Sequence, residues 1–242
     1  MTLDTATTPE PGTHVPPLSP RERGPGGEVP ARVGEVIDAT TTELTAQSYE
    51  LHQSPFFGSF VRASNGDADV WAVVAQAHTG GIDPGRHPVA RGAAYTSEAE
   101  VYAQNPELPQ LLRTVFTALV VGYSPPGPDV RHRLPPRPAR VHAFVYAATP
   151  SEVAAFTERL DYIDAILRLQ TAAPVDELVA AAIRSAAAAR RGPHPGPLPL
   201  GEGRGEGDHP EAAYRLRCGR HLARLLGREP ARLVAMLQRL RE

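Results

Sequence analysis

Short runs of alternating apolar and polar residues dominate the chain between positions 33 and 78. Four of these runs are rich in valine, threonine and aromatic residues, and turn residues separate them: 33–38, 41–49, 58–62 and 70–76. Runs of this length and composition are typical of strands in a small antiparallel barrel or sandwich. In the first run, Val33, Glu35 and Ile37 share one face. We therefore predict a β-barrel core.

The fourth run, 70–76, differs from the others because it is apolar at nearly every position. A strand with this pattern is covered on both faces. Trp71 lies near its centre, and we expect its side chain to be buried. Gly58 opens the third run, where a glycine commonly marks a tight bend or a bulge at a barrel corner.

Beyond the fourth run, the pattern predicts further elements of both types. They are a loop at 78–85, a helical insertion at 97–112, and strands at 115–123 and 139–147. Within the insertion, Asn105 and Pro106 are expected to cap and start the second of two short helices. The predicted fold class is therefore α+β: a small antiparallel β-barrel with a helical insertion, followed by C-terminal helices.

From Thr149 onward, the periodicity is that of amphipathic helices. Thr149 and Glu152 have the spacing of a capping box. Apolar residues then recur every three or four positions and predict one helix: Val153, Phe156, Leu160, Ile163 and Leu167. A second helix starts at Pro174, so that a helical hairpin occupies 149–191. Two more helices are expected within 209–242.

Two segments rich in proline and glycine contain few large apolar residues and are predicted to be disordered, because they cannot offset the entropy lost on ordering. Parts of both segments resemble the product of a short GC-rich genomic repeat, read in opposite directions. The alternative is a proline-rich ligand for an aromatic groove. The predicted organisation is a tail at 1–31, a barrel at 32–148, a helical hairpin at 149–191, a linker at 192–208 and an arginine-rich helical pair at 209–242.

Composition and motifs exclude several classes of function. All 25 basic residues are arginine, so the lysine of a Walker A phosphate loop is absent. A single cysteine, Cys218, excludes an intramolecular disulfide and a cysteine-based zinc cluster. No apolar run could span a bilayer, and the N-terminus does not read as a signal peptide. We expect a cytoplasmic protein without a membrane partner.

Candidate catalytic residues are few. The nine histidines are scattered, and neither a paired metal-ligand motif nor a Gly-x-Ser-x-Gly motif occurs. Asp161 and Asp164 lie three residues apart on a predicted helix, where they could share a site or form a solvated face. Cys218 has basic neighbours that could lower its pKa, or it is simply a small residue in a helix. We predict that the protein is not an enzyme and has no cofactor or metal.

Arginine supplies the main polar signal, first in the loop between the last two predicted strands. Arg131, Arg133 and Arg137 lie there among prolines. They could contact phosphates or an acidic surface. Alternatively, the loop is a stiff polyproline connection that its charges keep soluble.

The C-terminal helices carry the second group of arginines. Eight arginines face only three acidic residues between 209 and 242. Arg220, Arg224 and Arg228 recur at four-residue spacing and would share one face of a continuous helix. Together with Arg215, this face could dock on an acidic partner or on nucleic-acid phosphates. The alternative is a solvated face of a terminal helical hairpin.

Several stretches resemble the HAS-barrel, the small barrel at the N-terminus of HerA-type ATPases that is related to the N-terminal barrel of F-type ATP synthase subunits. They are Gly34 to Glu43 with its Val-Ile pair and threonines, Phe-Gly-Ser-Phe-Val at 57–61, Val-Trp-Ala-Val-Val at 70–74, Leu-Pro-Pro-Arg-Pro at 134–138, Val-His-Ala-Phe-Val-Tyr at 141–146 and Pro-Val-Asp-Glu-Leu at 174–178. The resemblance covers about 33–184 and matches a stand-alone form without the ATPase domain.

The resemblance implies a function in assembly, because such barrels mediate contacts in ring-shaped DNA-processing motors. We therefore predict a non-catalytic adaptor associated with a HerA-type ATPase, with indirect or weak nucleic-acid contact. A protein that binds nucleic acid directly, through the barrel and the arginine-rich helices, is the alternative.

Overall fold

A computed structural model describes residues 29–83, 85, 87–169, 171–191 and 210–241. The predicted linker at 192–208 and nearly all of the predicted tail at 1–31 lie outside the described residues.

The described part of the chain contains six strands: β1 Arg32–Ala39, β2 Glu43–Ser48, β3 Phe60–Ser64, β4 Asp69–Gly81, β5 Leu112–Ser124 and β6 Phe144–Ala147. They close into an antiparallel barrel in the order β1-β2-β5-β4-β3-β6. Seven helices accompany the strands, five of them after the last strand. The predicted α+β class, with an antiparallel β-barrel, a helical insertion and C-terminal helices, is confirmed.

Small and medium apolar side chains fill the barrel interior. Its core includes Val36, Leu44, Val61, Val74 and Phe116, all buried. Eight-stranded barrels are only just wide enough for side chains to fill, and six strands enclose less space. The interior is therefore a packed core, and any binding chemistry belongs to the outside.

Residues 70–75 of β4 are buried on both faces, as predicted. Val70, Ala72 and Val74 face the barrel core, whereas Trp71 and Val73 face the helices. Trp71 is only 6% exposed, so its predicted burial is confirmed.

The β4–β5 hairpin is longer than the sequence predicted. Residues 78–81 were expected in a loop, but β4 continues to Gly81, which pairs with Leu112. Thr79 and Thr114 share a side-chain hydrogen bond of 2.8 Å across this ribbon. On β4, residues 76–79 are exposed and mostly polar or small, so the hydrophobic signal of a strand is missing there.

The helical insertion lies at the tip of this hairpin, as α1 Glu98–Gln104 and α2 Leu108–Leu111. Ser97 caps α1 by accepting a hydrogen bond from the Glu100 amide. The expected role of Asn105 is wrong, because Asn105 ends α1 and Glu107 precedes α2.

Strand β6 is shorter than the predicted 139–147. A turn precedes it, in which the Ala143 amide donates to the Arg140 carbonyl. His142 has a φ of 67°, a left-handed conformation outside the strand region. Only Phe144–Ala147 therefore joins the barrel.

The C-terminal helices are α3 Pro150–Phe156, α4 Asp161–Arg168, α5 Val175–Ala188, α6 Pro210–Leu225 and α7 Pro230–Arg239. The predicted capping box of Thr149 and Glu152 is present. The stripe from Val153 to Leu167, however, is divided between α3 and α4.

Tertiary contacts explain why α3 ends early. The Thr157 hydroxyl donates to the Val153 carbonyl at 2.6 Å, Arg190 donates to the Ala154 carbonyl, and Tyr214 donates to the Thr157 carbonyl. These donors come from a side chain and from later helices, and they satisfy carbonyls at the end of α3. The spacing of apolar residues does not predict these hydrogen bonds.

The helices cover one side of the barrel and share a core with its outer face. Phe156 stacks on Trp71 with ring centroids 4.4 Å apart. Gly58 has a φ of 81°, and a β-carbon there would lie 2.4 Å from the Ala181 β-carbon of α5. A glycine at 58 therefore permits both the bend that the sequence indicated and the close approach of α5.

A buried ion pair also fixes α3 to the barrel. The Arg62 side chain is 4% exposed and lies 3.1 Å from Glu152 and 3.4 Å from Asp69. Its guanidinium also lies over the Tyr146 ring. Because a buried charge is stable only when it is paired, this cluster specifies where α3 sits.

Candidate partner-binding surface

The loop after β5 folds back on the strand that it leaves. The Arg131 backbone exchanges two hydrogen bonds of 2.9 Å with Tyr123. A β-carbon on Gly122 would lie 2.6 Å from the Arg131 carbonyl oxygen, so this approach requires a glycine. The loop is therefore fixed to β5.

His132 holds the loop from its other side. Its ring lies 4.6 Å from the Phe156 ring, and its Nε2 donates to the Phe156 carbonyl at 3.0 Å. Burial lowers the pKa of His132, so the imidazole is neutral at pH 7. In an extended segment, alternate residues point to opposite sides, which directs Arg131 and Arg133 outward.

The two outward arginines converge on one oxygen. Arg131 Nη1 and Arg133 Nη2 donate to the Tyr123 hydroxyl at 3.4 and 3.3 Å. Hydrogen bonds from Arg131 and then Arg133 lower the pKa of Tyr123. Both arginines are exposed, and neither has a carboxylate within ion-pair distance among the described residues. Two positive charges that share a neutral oxygen retain attraction for an anion.

A cleft of about 220 Å³ opens beside Arg133, between β5 and α4. Apart from two arginines, the described residues that line it are aliphatic: Val120, Val121, Leu134, Ala165 and Leu169. The arginines are Arg133 and Arg168, and both are exposed. We call this feature the aliphatic cleft.

Asp164 connects the aliphatic cleft to α6. Its carboxylate lies 2.6 Å from His221 Nε2 and 3.9 Å from Arg168. His221 immediately follows Arg220 and precedes Arg224 by one turn. The tertiary structure therefore links α4, which carries Arg168, to α6, which carries Arg220 and Arg224, through the Asp164–His221 contact. We call Arg131, Arg133, Arg168, Arg220 and Arg224 the basic surface.

Other C-terminal arginines hold elements of the protein together. They are Arg215, Arg217, Arg232 and Arg239. Arg215 bonds Glu211 and the Leu240 carbonyl, so it is engaged internally. Arg232 reaches Asp176 of α5 at 2.7 Å. The carboxylate partners of Arg217, Arg232 and Arg239 are Glu158, Asp176 and Glu177. A count of acidic residues confined to 209–242 leaves these three partners out.

Arg220, Arg224 and Arg228 differ from those four arginines. All three are exposed, and none forms an ion pair with any residue in the described ranges. Helix α6 ends at Leu225, so Arg228 lies in the following turn. The continuous helical face that the spacing predicted is limited to Arg220 and Arg224.

Arg137 is not brought to the basic surface by any contact of the described chain. Its guanidinium forms an ion pair of 3.2 Å with Asp67, in the turn between β3 and β4. Both side chains are exposed, and such a pair contributes little to stability.

A second surface lies on the barrel wall near the end of β2. Phe56 is 87% exposed and borders a cleft of about 440 Å³ with Val33, Tyr49 and Pro55. We call this cleft the aromatic groove. An exposed apolar patch of this kind is typical of a protein contact. The hydrophobic pattern of the chain gives no sign of this surface, because Phe56 lies in the turn between two strands.

The catalytic candidates do not assemble into a site. Asp161 pairs with Arg159, whereas Asp164 pairs with His221. Cys218 is fully buried, and burial raises the pKa of its thiol, so the idea of a lowered pKa is wrong. No group of potential metal ligands occurs within the described residues.

Comparison with protein-family models gave no match, and comparison with curated proteins gave no significant match. The resemblance to the HAS-barrel therefore stays a prediction from the residues that carry it. In the part of the chain that the structure describes, every helix is too short or too polar to cross a membrane.

Proposed function

We propose that this chain is a non-catalytic assembly module that docks on a HerA-type DNA-processing ATPase. The aromatic groove is the observation that carries the proposal. Phe56, at 87% exposure, presents almost its whole ring to solvent, and aromatic side chains are enriched where proteins meet. The resemblance of 33–184 to the HAS-barrel supplies the expected partner.

The architecture suits a rigid contact module. Side chains fill the barrel, and α3 is fixed to it by the Arg62–Glu152 ion pair. The aromatic groove and the basic surface are therefore held on one framework. A partner then meets preformed surfaces, which reduces the entropy lost on binding.

Co-expression with a HerA-type ATPase tests the proposal. We expect the two proteins to co-purify, and Phe56→Ser to reduce the recovered ATPase at least tenfold. Val89→Ser is the matched control, because Val89 is 81% exposed but borders a different cleft at the helical insertion. Failure to co-purify, or equal recovery with Phe56→Ser, contradicts the proposal.

Direct nucleic-acid binding is the second candidate, and the exposed, unpaired arginines favour it. Three phosphate contacts, by Arg220, Arg224 and Arg228, predict a log–log salt dependence of about −2.7 on duplex DNA, at roughly −0.9 per phosphate. Replacing all three with glutamine should abolish this dependence, whereas Arg137→Gln should not. Tight, salt-sensitive binding by the isolated chain would favour this candidate over the adaptor.

A further inference from the structure

We infer that the aliphatic cleft and the adjoining arginines bind an acidic peptide segment that carries a leucine-like side chain. This inference rests on the proposed function, because it names the chemistry of the partner's contact. The carboxylates would bind Arg131 and Arg133, and the aliphatic side chain would enter the cleft.

The charge arrangement indicates an anion. Arg131 and Arg133 both donate to the Tyr123 hydroxyl, which brings two guanidinium groups together. Asp129 interacts electrostatically with Arg131, but no carboxylate of the described chain lies within ion-pair distance of either arginine. The backbone bonds between Arg131 and Tyr123, together with the His132 contact to Phe156, hold them there. Guanidinium groups bind carboxylates through paired hydrogen bonds, so a partner's acidic side chain fits this position.

The cleft indicates what lies beside the anion. Its volume of about 220 Å³ exceeds that of one branched aliphatic side chain, and Leu134, Ala165 and Leu169 provide apolar walls. Arg168 borders it from α4, and its contact with Asp164, at 3.9 Å, is long. An aliphatic side chain flanked by carboxylates therefore matches both the lining and the charge.

A nucleic acid fits the same cleft less well. Proteins hold unpaired bases mainly by stacking them on aromatic rings, and none of the described residues that line this cleft is aromatic. The arginines could bind phosphates, but the aliphatic walls of the cleft would then have no apolar group to contact. We therefore assign the cleft to a protein segment.

Fluorescence anisotropy with the full chain tests this assignment. The probe is a labelled peptide with one leucine between two pairs of aspartates, and the comparison probes replace that leucine with serine or the peptide with oligo-dT. We expect the leucine peptide to bind at least fivefold more tightly than the serine peptide and than oligo-dT. Equal affinity for the two peptides, or tighter binding of oligo-dT, overturns the inference.

Two kinds of variant separate charge from shape. Arg131→Gln with Arg133→Gln should weaken peptide binding at least tenfold, and Ala165→Leu, which fills the cleft and keeps every charge, should weaken it at least fivefold. Arg137→Gln is the control from the same loop and should have no effect. Unfolding curves check that each variant is folded, and if Ala165→Leu is not, Leu134→Ser provides the second test of the cleft. Peptide binding that survives both kinds of change overturns the inference.

The same variants distinguish this inference from the proposed function. If the ATPase co-purifies equally with the Arg131→Gln, Arg133→Gln variant, the inference fails and the adaptor proposal stands. If the peptide binds as expected but no ATPase co-purifies, the identity of the partner is wrong and the cleft assignment stands.

Discussion

The barrel wall has two unlike halves. On β3, β4 and β5, outward side chains such as Phe60, Trp71 and Leu119 are buried beneath α3, α4 and α5. On β1 and β2, outward residues such as Glu35 and Gln47 face solvent. The barrel interior is continuous across both halves, but only the covered half depends on the helices for its burial.

This difference indicates that the barrel and the C-terminal helices form one folding unit. A barrel without its helices would expose Phe60 and Trp71, whose rings pack against Phe156 of α3. The open half has no such requirement, because its polar outer residues are already suited to water. Mutations of outward-facing residues should therefore lower the free energy of unfolding far more in the covered half than in the open half.

Replacement of Trp71 should have the largest effect. Trp71→Ala removes a buried aromatic side chain that contacts Phe156 and donates to the Ser124 hydroxyl. We expect the free energy of unfolding to fall by about 3–5 kcal/mol. Gln47→Ala, on the open half, should change it by less than about 0.5 kcal/mol. Urea unfolding measures the free energy of both variants. Equal losses would show that the helices contribute nothing to the stability of the covered half.

The Gly58 position tests the contact between the barrel and α5. Gly58→Ala should cost about 3 kcal/mol, because it combines left-handed backbone strain with a clash against Ala181. Gly127→Ala is the control, since Gly127 also has a positive φ but no atom lies within 4 Å of an added β-carbon. Gly127→Ala should lower the free energy of unfolding only by the backbone strain, roughly 1–2 kcal/mol. A cost at Gly58 no greater than at Gly127 would argue against the close α5 contact.

Replacing the arginines of α6 and α7 should also have two different effects on stability, depending on whether the arginine forms an ion pair. Arg232→Ala removes hydrogen bonds to Asp176 and Glu229 and should destabilise the protein by about 1 kcal/mol. Arg224→Ala should leave the unfolding midpoint unchanged and affect only partner binding. Thermal unfolding checks both variants. A large drop in the unfolding midpoint of Arg224→Ala would show that Arg224 stabilises the fold and is not free to bind a partner.

The smallest effect is expected from pH. Burial lowers the pKa of His132 from its ordinary 6.5, so the unfolded chain takes up this proton before the folded one. Stability is therefore retained above pH 6.5 and declines as pH falls below it. Between about pH 6.5 and 5.5 the loss should be less than about 1 kcal/mol, and His132→Gln should reduce it. An unchanged pH dependence in that variant would assign the loss to another group.

The sequence by itself determined the elements whose signal is local. The alternation in β1, the apolar run of β4 and the capping box at Thr149 were all predictable, because strand faces and helix starts depend on neighbouring residues. Burial of Trp71 also followed, since a strand that is apolar on both faces must be covered on both.

Only the tertiary structure decided what depends on residues far apart in the chain. The break after α3 involves two distant donors, Arg190 just beyond α5 and Tyr214 of α6. The polar end of β4 is a strand because β5 pairs with it. Likewise, Arg215 donates to the Leu240 carbonyl beyond α6, and Arg232 pairs with Asp176 of α5. Asp164 contacts both Arg168 and His221. Ion pairs and hydrogen bonds act over a few ångströms in space, and sequence spacing records such proximity only within a single helix or strand.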